Sequence, residues 1–553
     1  MKNMYICQQE QSFLPMEHYL SRLQNATRKY WDKAALNSLG GESFTYGQMA
    51  VQVEKFHLVF EALGLRKGDK IALCARNGAR FGMVYMAVVT SGKVIVPILA
   101  DFLPENVVHL TDHSDAVVLF TNKDKFEKMD PKGMPKVRLV VDVDTWGVLM
   151  AADKETEALY GTMEECFAKK YPGGFGPEDV DYPTDNLDQL CTINYTSGST
   201  GDPKGVMLTH RNFNTVVDYS QRHMPAGDKI VSMLPMAHMY GLVIEFIYPL
   251  CNGTSIYWLG KAPTPATLLK AFADVKPYLL VTVPLVMEKI YKSKIKPVVD
   301  KPSVKFLMHI PGVNKLIFKK IRTGLEQAFG GNVREFIMGG AALNPEVEKI
   351  LSKIHFPYVV GYGMTEACPL LAYEGWRKFA PGSCGKALDC VEVRIDSDDP
   401  LHTVGEIQAR GDSIMIGYYK NPDATKAAFT DDGWLRTGDL GVLDKEGNIF
   451  IRGRSKNMIL SASGQNIYPE EVEAVVNNQP YVVESVVIER EGKLVALVYV
   501  DATYVADPDD LAQQIRTESN RHLPPYSAIS KVELRQEPFE KTPKMSIKRF
   551  LYK

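Results

Sequence analysis

Several features that mark large classes of protein are missing from this sequence of 553 residues. Its eight cysteines, at positions 7, 74, 166, 191, 251, 368, 384 and 390, include no CxxC pair and no zinc-ligand spacing, so we expect reduced thiols and no structural metal. No run approaches the ~18 apolar residues of a membrane span. The N-terminus turns polar too early for a signal peptide, and we therefore expect a cytoplasmic protein.

An excess of charge of either sign is also missing. The net charge is -2, with 24% charged and 45% hydrophobic residues, which describes a soluble globular protein and gives no reason to expect nucleic acid as a partner. A chain of this length is expected to form about two to four structural units.

The first part of the chain alternates between helical and strand-like patterns. Apolar residues recur at helical spacing over 44–65 and 80–90, whereas 70–74, 94–97 and 115–121 read as buried strands. Such alternation predicts parallel strands with helical crossovers, which is an α/β layered architecture. Residues 153–188, rich in Glu, Lys, Gly and Pro, are expected to form an exposed connection.

A cluster of hydroxyl residues and glycines, YTSGSTGDPKG from Tyr195 to Gly205, lies between two strand-like runs. Small residues let backbone N–H groups approach an anion, and a lysine adds positive charge. The cluster is not a Walker A loop, because Pro203 precedes the lysine and a β-like run follows it. We predict a hairpin-like phosphate loop, with a flexible surface turn as the alternative. Its candidate ligands are Thr196, Ser197, Gly198, Ser199, Thr200, Gly201 and Lys204.

This loop resembles the signature of the adenylate-forming superfamily, which includes acyl-CoA synthetases, firefly-type luciferases and adenylation domains of peptide synthetases. The resemblance extends over about residues 40–550, because further motifs follow in the superfamily's order. It implies a large N-terminal adenylate-forming domain over 1–453, a hinge at 454–456 and a small α+β lid over 457–553. Taken singly, most of these motifs have a structural alternative, such as a turn or a basic loop.

The second motif, LPMAHMYG from Leu234 to Gly241, packs a histidine among apolar residues. The resemblance places His238 between an acyl pocket and a thiol tunnel, whereas a buried core histidine is the alternative. Amino-acid-activating relatives carry an Asp near this motif, and this segment has none. We therefore expect an apolar carboxylic acid as substrate, and the run from Val281 to Tyr291 resembles long-chain fatty acyl-CoA synthetases.

Two further motifs are expected to form the adenylate pocket. By resemblance, Gly340, Ala341 and Ala342 line the adenine and phosphate region. In the motif from Tyr362 to Glu366, which includes Gly363, Tyr362 is expected to stack on adenine and Thr365 to bind a phosphate oxygen. Glu366 is expected to hold Mg²⁺ between the phosphates of ATP, which suits an ion usually bound by one or two carboxylates plus substrate phosphates.

The remaining motifs surround the hinge and the C-terminus. Asp439, in a tight Thr-Gly-Asp turn, is expected to accept both ribose hydroxyls. Arg454 is expected to contact the ribose, Lys456 to act as the pivot and Gly464 to line the thiol tunnel.

The superfamily usually places a catalytic lysine near the C-terminus, where this chain carries Ser546. We predict that Lys548 replaces that lysine, while Lys544 remains an alternative.

The sequence thus predicts an AMP-forming ligase that activates a medium- to long-chain fatty acid with ATP and Mg²⁺ and transfers it to CoA. The catalytic set is Lys204, His238, Glu366 and Lys548. A ligase that loads a carrier protein and a non-catalytic acyl or nucleotide sensor remain alternatives.

Between residues 289 and 322, lysines alternate with apolar residues. The pattern fits either peripheral contact with an anionic membrane or an ordinary solvated helix face, and we prefer the second interpretation.

Overall fold

A computed structural model describes residues 17–196, 203–260, 264–461, 465–501, 508–541 and 547–552. The predicted loop residues Ser197, Gly198, Ser199, Thr200 and Gly201 lie outside these described residues, as do Gly464, Lys544 and Ser546.

Strands occur throughout the described chain. In chain order they are β1 (Ala34–Ser38), β2 (Ser43–Thr45), β3 (Lys70–Cys74), β4 (Val94–Pro97), β5 (Ala116–Thr121), β6 (Leu139–Asp142), β7 (Val148–Ala151), β8 (Leu190–Thr196), β9 (Lys204–Thr209), β10 (Lys229–Ser232), β11 (Ser255–Trp258), β12 (Leu279–Thr282), β13 (Glu335–Met338), β14 (Tyr358–Val360), β15 (Tyr362–Gly363), β16 (Leu370–Tyr373), β17 (Lys386–Ala387), β18 (Val391–Asp396), β19 (Gly405–Gly411), β20 (Gly417–Tyr418), β21 (Leu435–Leu443), β22 (Ile449–Arg454), β23 (Ile459–Leu460), β24 (Asn466–Ile467), β25 (Val482–Arg490), β26 (Lys493–Val500) and β27 (Ile529–Arg535).

Helices connect most of these strands. In chain order the α-helices are α1 (Tyr19–Lys29), α2 (Tyr46–Ala62), α3 (Ala79–Thr90), α4 (Pro104–His113), α5 (Lys123–Phe126), α6 (Lys154–Gly161), α7 (Met163–Lys170), α8 (His210–His223), α9 (Tyr248–Cys251), α10 (Pro265–Val275), α11 (Pro284–Ile290), α12 (Lys296–Val299), α13 (Pro302–Leu307), α14 (Val313–Ala328), α15 (Pro345–Lys353), α16 (Pro422–Ala428), α17 (Pro469–Val476) and α18 (Pro508–Asn520). Two π-helical stretches, Gly241–Ile247 and Tyr291–Ile295, precede α9 and α12.

Two large sheets form the body of the molecule. One has the strand order β20-β9-β8-β4-β3-β5-β6-β7, and the other has the order β14-β13-β12-β10-β11-β1-β2. Their central pairs are parallel and joined through helices, as the alternation of patterns predicts. The predicted α/β layered fold is confirmed.

The chain segment that carries the predicted phosphate loop enters and leaves the first sheet as a hairpin. β8 and β9 pair antiparallel, and Thr196 stands opposite Lys204 in the register. The prediction that two strands flank this loop is therefore confirmed, and the sheet fixes both ends of the loop.

A four-stranded antiparallel sheet, β18-β19-β21-β22, carries Asp439. Leu440 pairs with Glu406 while Arg436 pairs with Gln408, so residues 437–439 bulge out of β21. The prediction of a tight Thr-Gly-Asp turn is therefore wrong: Asp439 lies at a bulge within a continuous strand. Gly438 adopts a φ of 72°, which a residue with a side chain rarely adopts.

The C-terminal part of the chain builds a separate set of buried contacts. The sheet β25-β26-β27 packs against α17 and α18, and side chains such as Val476, Ala496 and Val498 are buried there. The predicted mixture of helix and strand is confirmed for this region, and the exact domain boundaries stay a prediction.

Residues 153–188 are mostly exposed, as predicted, but they also form helices. They contain α6 and α7, and α7 packs against α2. Asp153 caps α6 by accepting a hydrogen bond from the backbone of Thr156, and Tyr160 and Met163 are buried. The helices were not predicted, because the polar composition concealed the few apolar residues that attach them to the body.

Within the described ranges, no helix is both long and apolar enough to cross a membrane. Seven cysteines in those ranges, from Cys74 to Cys390, are free thiols.

Candidate active site

One cavity of about 3380 Å³ brings the predicted functional residues together. Its lining includes every one of them that lies in the described part of the chain: Thr196, Lys204, His238, Gly340, Ala341, Ala342, Tyr362, Gly363, Thr365, Glu366, Asp439, Arg454, Lys456 and Lys548. These residues are up to 352 positions apart in the sequence, from Thr196 to Lys548, so only the folded chain joins them.

A lysine, a tyrosine and a carboxylate form the first group in the cavity. Lys204 Nζ lies 4.9 Å from the centroid of the Tyr418 ring, and the Tyr418 hydroxyl donates a hydrogen bond of 2.9 Å to Glu366 Oε1. Antiparallel pairing of β20 with β9 places Tyr418 opposite Val206, two residues after Lys204. Sequence reasoning missed Tyr418, because a Gly-Tyr pair carries no recognisable spacing.

Tyr418 keeps its proton at neutral pH. Burial, followed by the adjacent Glu366 carboxylate, raises the pKa of Tyr418 well above its usual value. The hydroxyl therefore remains a donor to Glu366, and its ring offers a π-face to the Lys204 ammonium.

A second group joins strand β22 to an aromatic side chain. Asp439 on β21 and Arg454 on β22 are register partners, and Arg454 Nε lies 3.1 Å from Asp439 Oδ1. The Tyr362 hydroxyl donates a 2.8 Å hydrogen bond to Asp439 Oδ2. Burial raises the pKa of Asp439, and the charge of Arg454 opposes this effect. Tyr362 is thereby fixed by Asp439; its stacking on adenine stays a prediction.

The bulge that presents Asp439 is held by its own hydrogen bonds. Gly438 N donates to Glu406 Oε1 over 3.1 Å, and the Thr437 hydroxyl donates to Ile407 O over 2.7 Å. Arg436 pairs with the other oxygen of Glu406 at 3.2 Å. The backbone around Asp439 is therefore fixed before any ligand enters.

Two glycines of the predicted pocket are required for different physical reasons. Gly340 adopts a φ of 82°, a left-handed conformation that favours glycine. A Cβ on Gly363 would stand 1.8 Å from Pro369 O, so Gly363 lets β15 approach β16. Both positions thus have a structural role, and the binding roles of Gly340, Ala341, Ala342 and Gly363 stay predictions.

The loop that carries His238 is fixed on one side by two asparagines. Asn77 donates to Leu234 O over 2.7 Å and accepts from Met236 N over 2.8 Å, while Asn194 donates to Ala237 O over 2.9 Å. His238 Nδ1 accepts from the backbone of Tyr240 over 3.2 Å. His238 is thus a half-buried side chain on a rigid loop at the cavity wall.

On its other side this loop rests on a buried carboxyl group. Glu245, on the π-helical stretch, accepts hydrogen bonds from Ser232 Oγ at 3.0 Å, Met233 N at 3.1 Å and Leu234 N at 2.9 Å. Complete burial raises the pKa of Glu245 to about 8, although these bonds act in the opposite direction. Neither Glu245 nor the two asparagines was predicted from the sequence.

The C-terminal module contributes Lys548 to the cavity. Lys548 Nζ lies 3.3 Å from Glu540 Oε2, and its backbone N–H donates to Glu540 O over 2.9 Å. The next residue, Arg549, forms an ion pair with the buried Glu473, whose pKa burial raises to about 7. This anchor fixes the backbone beside Lys548.

Three polar contacts hold this module against the body. Arg452 Nη1 lies 3.6 Å from Glu471 Oε1, Lys292 Nζ donates to Val482 O over 3.3 Å, and Asn344 donates to Asn478 Oδ1 over 2.5 Å. In this arrangement, Lys456 and Lys548 line the same cavity as Glu366.

A protein-built metal cage is missing from the described ranges, where no group of three or more His, Cys, Asp or Glu side chains converges. Glu366 is a single carboxylate at the cavity wall with one oxygen bonded to Tyr418. Such a site fits a Mg²⁺ ion that substrate phosphates hold for the most part, because Mg²⁺ usually takes only one or two protein carboxylates.

This architecture is that of the adenylate-forming class of enzymes. It consists of a layered α/β body, an antiparallel sheet with its bulge and a small C-terminal module around one cavity. The model of the AMP-binding enzyme family matches residues 23–419. The chain belongs to this family, and it is an AMP-forming acid–thiol ligase.

Three proteins that are similar to the chain share modest sequence identity with it. Probable acyl-activating enzyme 16 of Arabidopsis thaliana is 26% identical over 86% of this chain and 76% of its own length. Long-chain-fatty-acid–CoA ligase FadD15 of Mycobacterium bovis is 28% identical over 83% of this chain and 77% of its own length. Long-chain-fatty-acid–CoA ligase 2 of Schizosaccharomyces pombe is 33% identical over 64% of this chain and 57% of its own length.

Solved structures share the fold over almost the full length. The anthranilate CoA ligase AuaEII in complex with anthranoyl-AMP matches with a TM-score of 0.79 at 19% identity, covering 98% of this chain and 97% of its own. ATP-bound MatB from Rhodopseudomonas palustris matches with a TM-score of 0.73 at 24% identity. The match covers 96% of this chain and 98% of MatB. The predicted fold class is confirmed by these likenesses.

Tyr418→Phe tests the hydrogen bond to Glu366. The ring remains under Lys204, but Glu366 loses its donor, so we expect the Mg²⁺ concentration for half-maximal pyrophosphate release to rise about 10-fold. Tyr419→Phe is the matched control, because its hydroxyl donates to Asp115 and it does not line the cavity. An unchanged Mg²⁺ dependence in Tyr418→Phe would show that this hydrogen bond does not contribute to Mg²⁺ binding.

Glu245→Gln tests the buried carboxyl group under the His238 loop. The folded chain retains a proton on Glu245 that the unfolded chain loses between its usual pKa of 4.5 and the folded value of about 8. The free energy of unfolding therefore falls as the pH rises through that window. A glutamine removes this dependence, so the Tm of the variant minus that of the parent should increase from pH 5 to pH 9. A constant difference would contradict the raised pKa.

Proposed function

We propose that the protein activates a medium- to long-chain fatty acid as acyl-AMP and transfers the acyl group to CoA. The observation that supports this most is the continuity of the cavity. The same cavity that contains Lys204, Glu366 and Asp439 extends into a section with apolar walls.

Helices α10, α11 and α14 supply most of that apolar section. Its lining includes Leu268, Leu269, Phe272, Val286, Ile290, Ile321 and Leu325. Among the described residues from 268 to 328 that line the cavity, no aspartate or glutamate occurs. A substrate ammonium group would find no counter-ion there, whereas an alkyl chain gains about 0.8 kcal/mol per buried CH₂.

In the first step a carboxylate oxygen of the acid bonds to the α-phosphorus of ATP, and pyrophosphate leaves. Two anions approach each other, so positive charge has to be present at the site. Lys204 and Lys548 are the side chains that we assign to this task, and Asp439 with Arg454 would hold the ribose. A Mg²⁺ ion at Glu366 would neutralise charge on the phosphates.

In the second step the CoA thiol gives up its proton to solvent, its sulfur bonds to the acyl carbon, and AMP leaves with the electron pair of the broken C–O bond. His238 lies on a rigid loop at the cavity wall, and we assign to it the boundary between the acyl chain and the thiol. Lys456 would act as the pivot about which the C-terminal module turns between the steps. The division into two steps replaces one difficult acylation by two easier ones.

Pyrophosphate release from purified protein tests this proposal. The full chain is incubated with Mg-ATP and saturated acids from hexanoate to stearate, with and without CoA. We expect acid-dependent release that CoA accelerates, with the longer acids preferred. Acid-dependent release that CoA leaves unchanged would favour a carrier protein as acceptor, and ATP binding without any release would favour a sensor.

Lys548→Ala in the same assay tests the lysine assignment. Loss of one fixed charge at the reacting phosphate should lower acid-dependent release by about 100-fold or more. Lys531→Ala is the matched control, because this lysine lies on β27, pairs with Glu533 at 2.8 Å and does not line the cavity. Equal rates in the two variants would exclude Lys548 from the first step.

A further inference from the structure

The side chains at the end of β8 alternate between the cavity and the opposite face of the sheet. Thr196 lines the cavity, and so does its register partner Lys204 on β9. Tyr195, one residue earlier, is 4% exposed and packs in a separate apolar cluster with Val107 and Leu110 of α4. Successive residues of a strand point to opposite faces, so Tyr195 connects the strand behind Thr196 to α4.

The hydroxyl of Tyr195 forms a hydrogen bond with the last residue of α4. It lies 2.7 Å from His113 Nδ1, and the two rings meet edge to face with their centroids 5.8 Å apart. Burial raises the pKa of the Tyr195 phenol and lowers the pKa of His113. At neutral pH the phenol is therefore protonated and the imidazole neutral, so we assign the hydroxyl as the donor and Nδ1 as the acceptor.

The ring of Tyr195 covers the backbone of β9 next to Lys204. Gly205 is the register partner of Tyr195, and a Cβ on Gly205 would stand 3.2 Å from the Tyr195 ring and 2.9 Å from Ile193. These distances are shorter than an ordinary van der Waals contact, so the glycine lets the ring lie directly on the strand. A shift of the Tyr195 ring would therefore disturb the backbone from which Lys204 reaches into the cavity.

A lysine forms a second connection between α4 and this part of the sheet. Tyr419 N donates a 2.7 Å hydrogen bond to Gly205 O, and the next residue in the chain is Lys420. Lys420 Nζ donates to His113 O over 2.9 Å and pairs with Asp115 at 2.8 Å. A cation at the C-terminus of a helix interacts favourably with the carbonyl groups there. The end of α4 is thus attached both to β8 and to the chain that follows β20.

We propose that His113 is a positioning residue for ATP, which acts through the Tyr195 hydroxyl to fix the ends of β8 and β9 that face the phosphates. Lys204 has a long side chain, and its charge can serve a phosphate only if the backbone holds it in the correct place. His113 is not among the cavity-lining residues of the described chain, so its effect on ATP depends on the hydrogen bond to Tyr195. This role requires only that the chain binds ATP, as its family does, and is independent of the acid.

Isothermal titration calorimetry of the full chain with Mg-ATP and with AMP tests this role. AMP has the same base and ribose but lacks the β- and γ-phosphates, so its binding depends less on the β8–β9 hairpin. Tyr195→Phe retains the ring and its packing but loses the donor. We expect its Kd for Mg-ATP to rise about fivefold while its Kd for AMP stays within about twofold of the parent. Parallel weakening of ATP and AMP would indicate a general structural role and would overturn the assignment.

Two substitutions test the acceptor. His113→Leu removes it at similar volume and should weaken Mg-ATP binding about as much as Tyr195→Phe. The double variant should bind no more weakly than either single variant, because each removes the same hydrogen bond. His113→Asn places a carboxamide oxygen near the position of Nδ1 and should keep the affinity within about twofold of the parent. Additive losses in the double variant, or an asparagine variant as weak as the leucine variant, would contradict the role of this hydrogen bond.

Tyr171→Phe is the matched control for the loss of a hydroxyl. Tyr171 donates to Glu54 over 2.8 Å and lies outside the cavity lining of the described chain, so this variant should bind Mg-ATP like the parent. The number of sites per chain in each titration reports the folded fraction, and Tyr195→Phe decides the role if His113→Leu does not fold. Equal Kd values for Mg-ATP in Tyr195→Phe and Tyr171→Phe would overturn the role of His113.

Discussion

The contact of Asp439 with Arg454 and Tyr362 is the interaction on which the rest of the site depends. It joins the bulged strand β21, its neighbour β22 and the motif that continues into Glu366. A buried carboxylate is costly unless it is paired and hydrogen-bonded, so these three residues hold one another in place. Arg454 is the first residue of the predicted hinge, 454–456, so the proposed nucleotide site and the proposed hinge share one fixed point.

Charge is distributed unevenly along the cavity. Lys204, Lys548, Glu366 and Asp439 lie where phosphates and ribose are expected, whereas the section between α10 and α14 is lined chiefly by aliphatic and aromatic side chains. This separation suits a molecule with one anionic and one apolar end. His238 lies on a loop that Asn77, Asn194 and Glu245 hold in place, and such rigidity suits a residue that separates two substrates.

Features that depend on local sequence patterns could be predicted from the sequence. Contacts that form only between distant parts of the folded chain could not. Alternating periodicity was sufficient for the α/β layers, and ordered motifs were sufficient to name residues that one cavity joins. Tyr418 was missed because its role arises from the pairing of β20 with β9, and Glu245 because burial of a glutamate cannot be read from its neighbours. The Thr-Gly-Asp segment was predicted as a turn because composition does not distinguish a bulge within a strand from a turn. The helices at 154–170 were missed because their polar residues outnumber the few that pack.

We propose above all that one cavity holds a nucleotide and an alkyl chain joined through an acyl phosphate. A crystal structure with a palmitoyl-sulfamoyl adenosine, which imitates the acyl-adenylate without reacting, tests it most directly. We expect the ribose hydroxyls on Asp439, the sulfamoyl group beside Lys204 and the alkyl chain between α10 and α14. Adenosine bound away from Asp439, or a chain that leaves the apolar section for solvent, would contradict it.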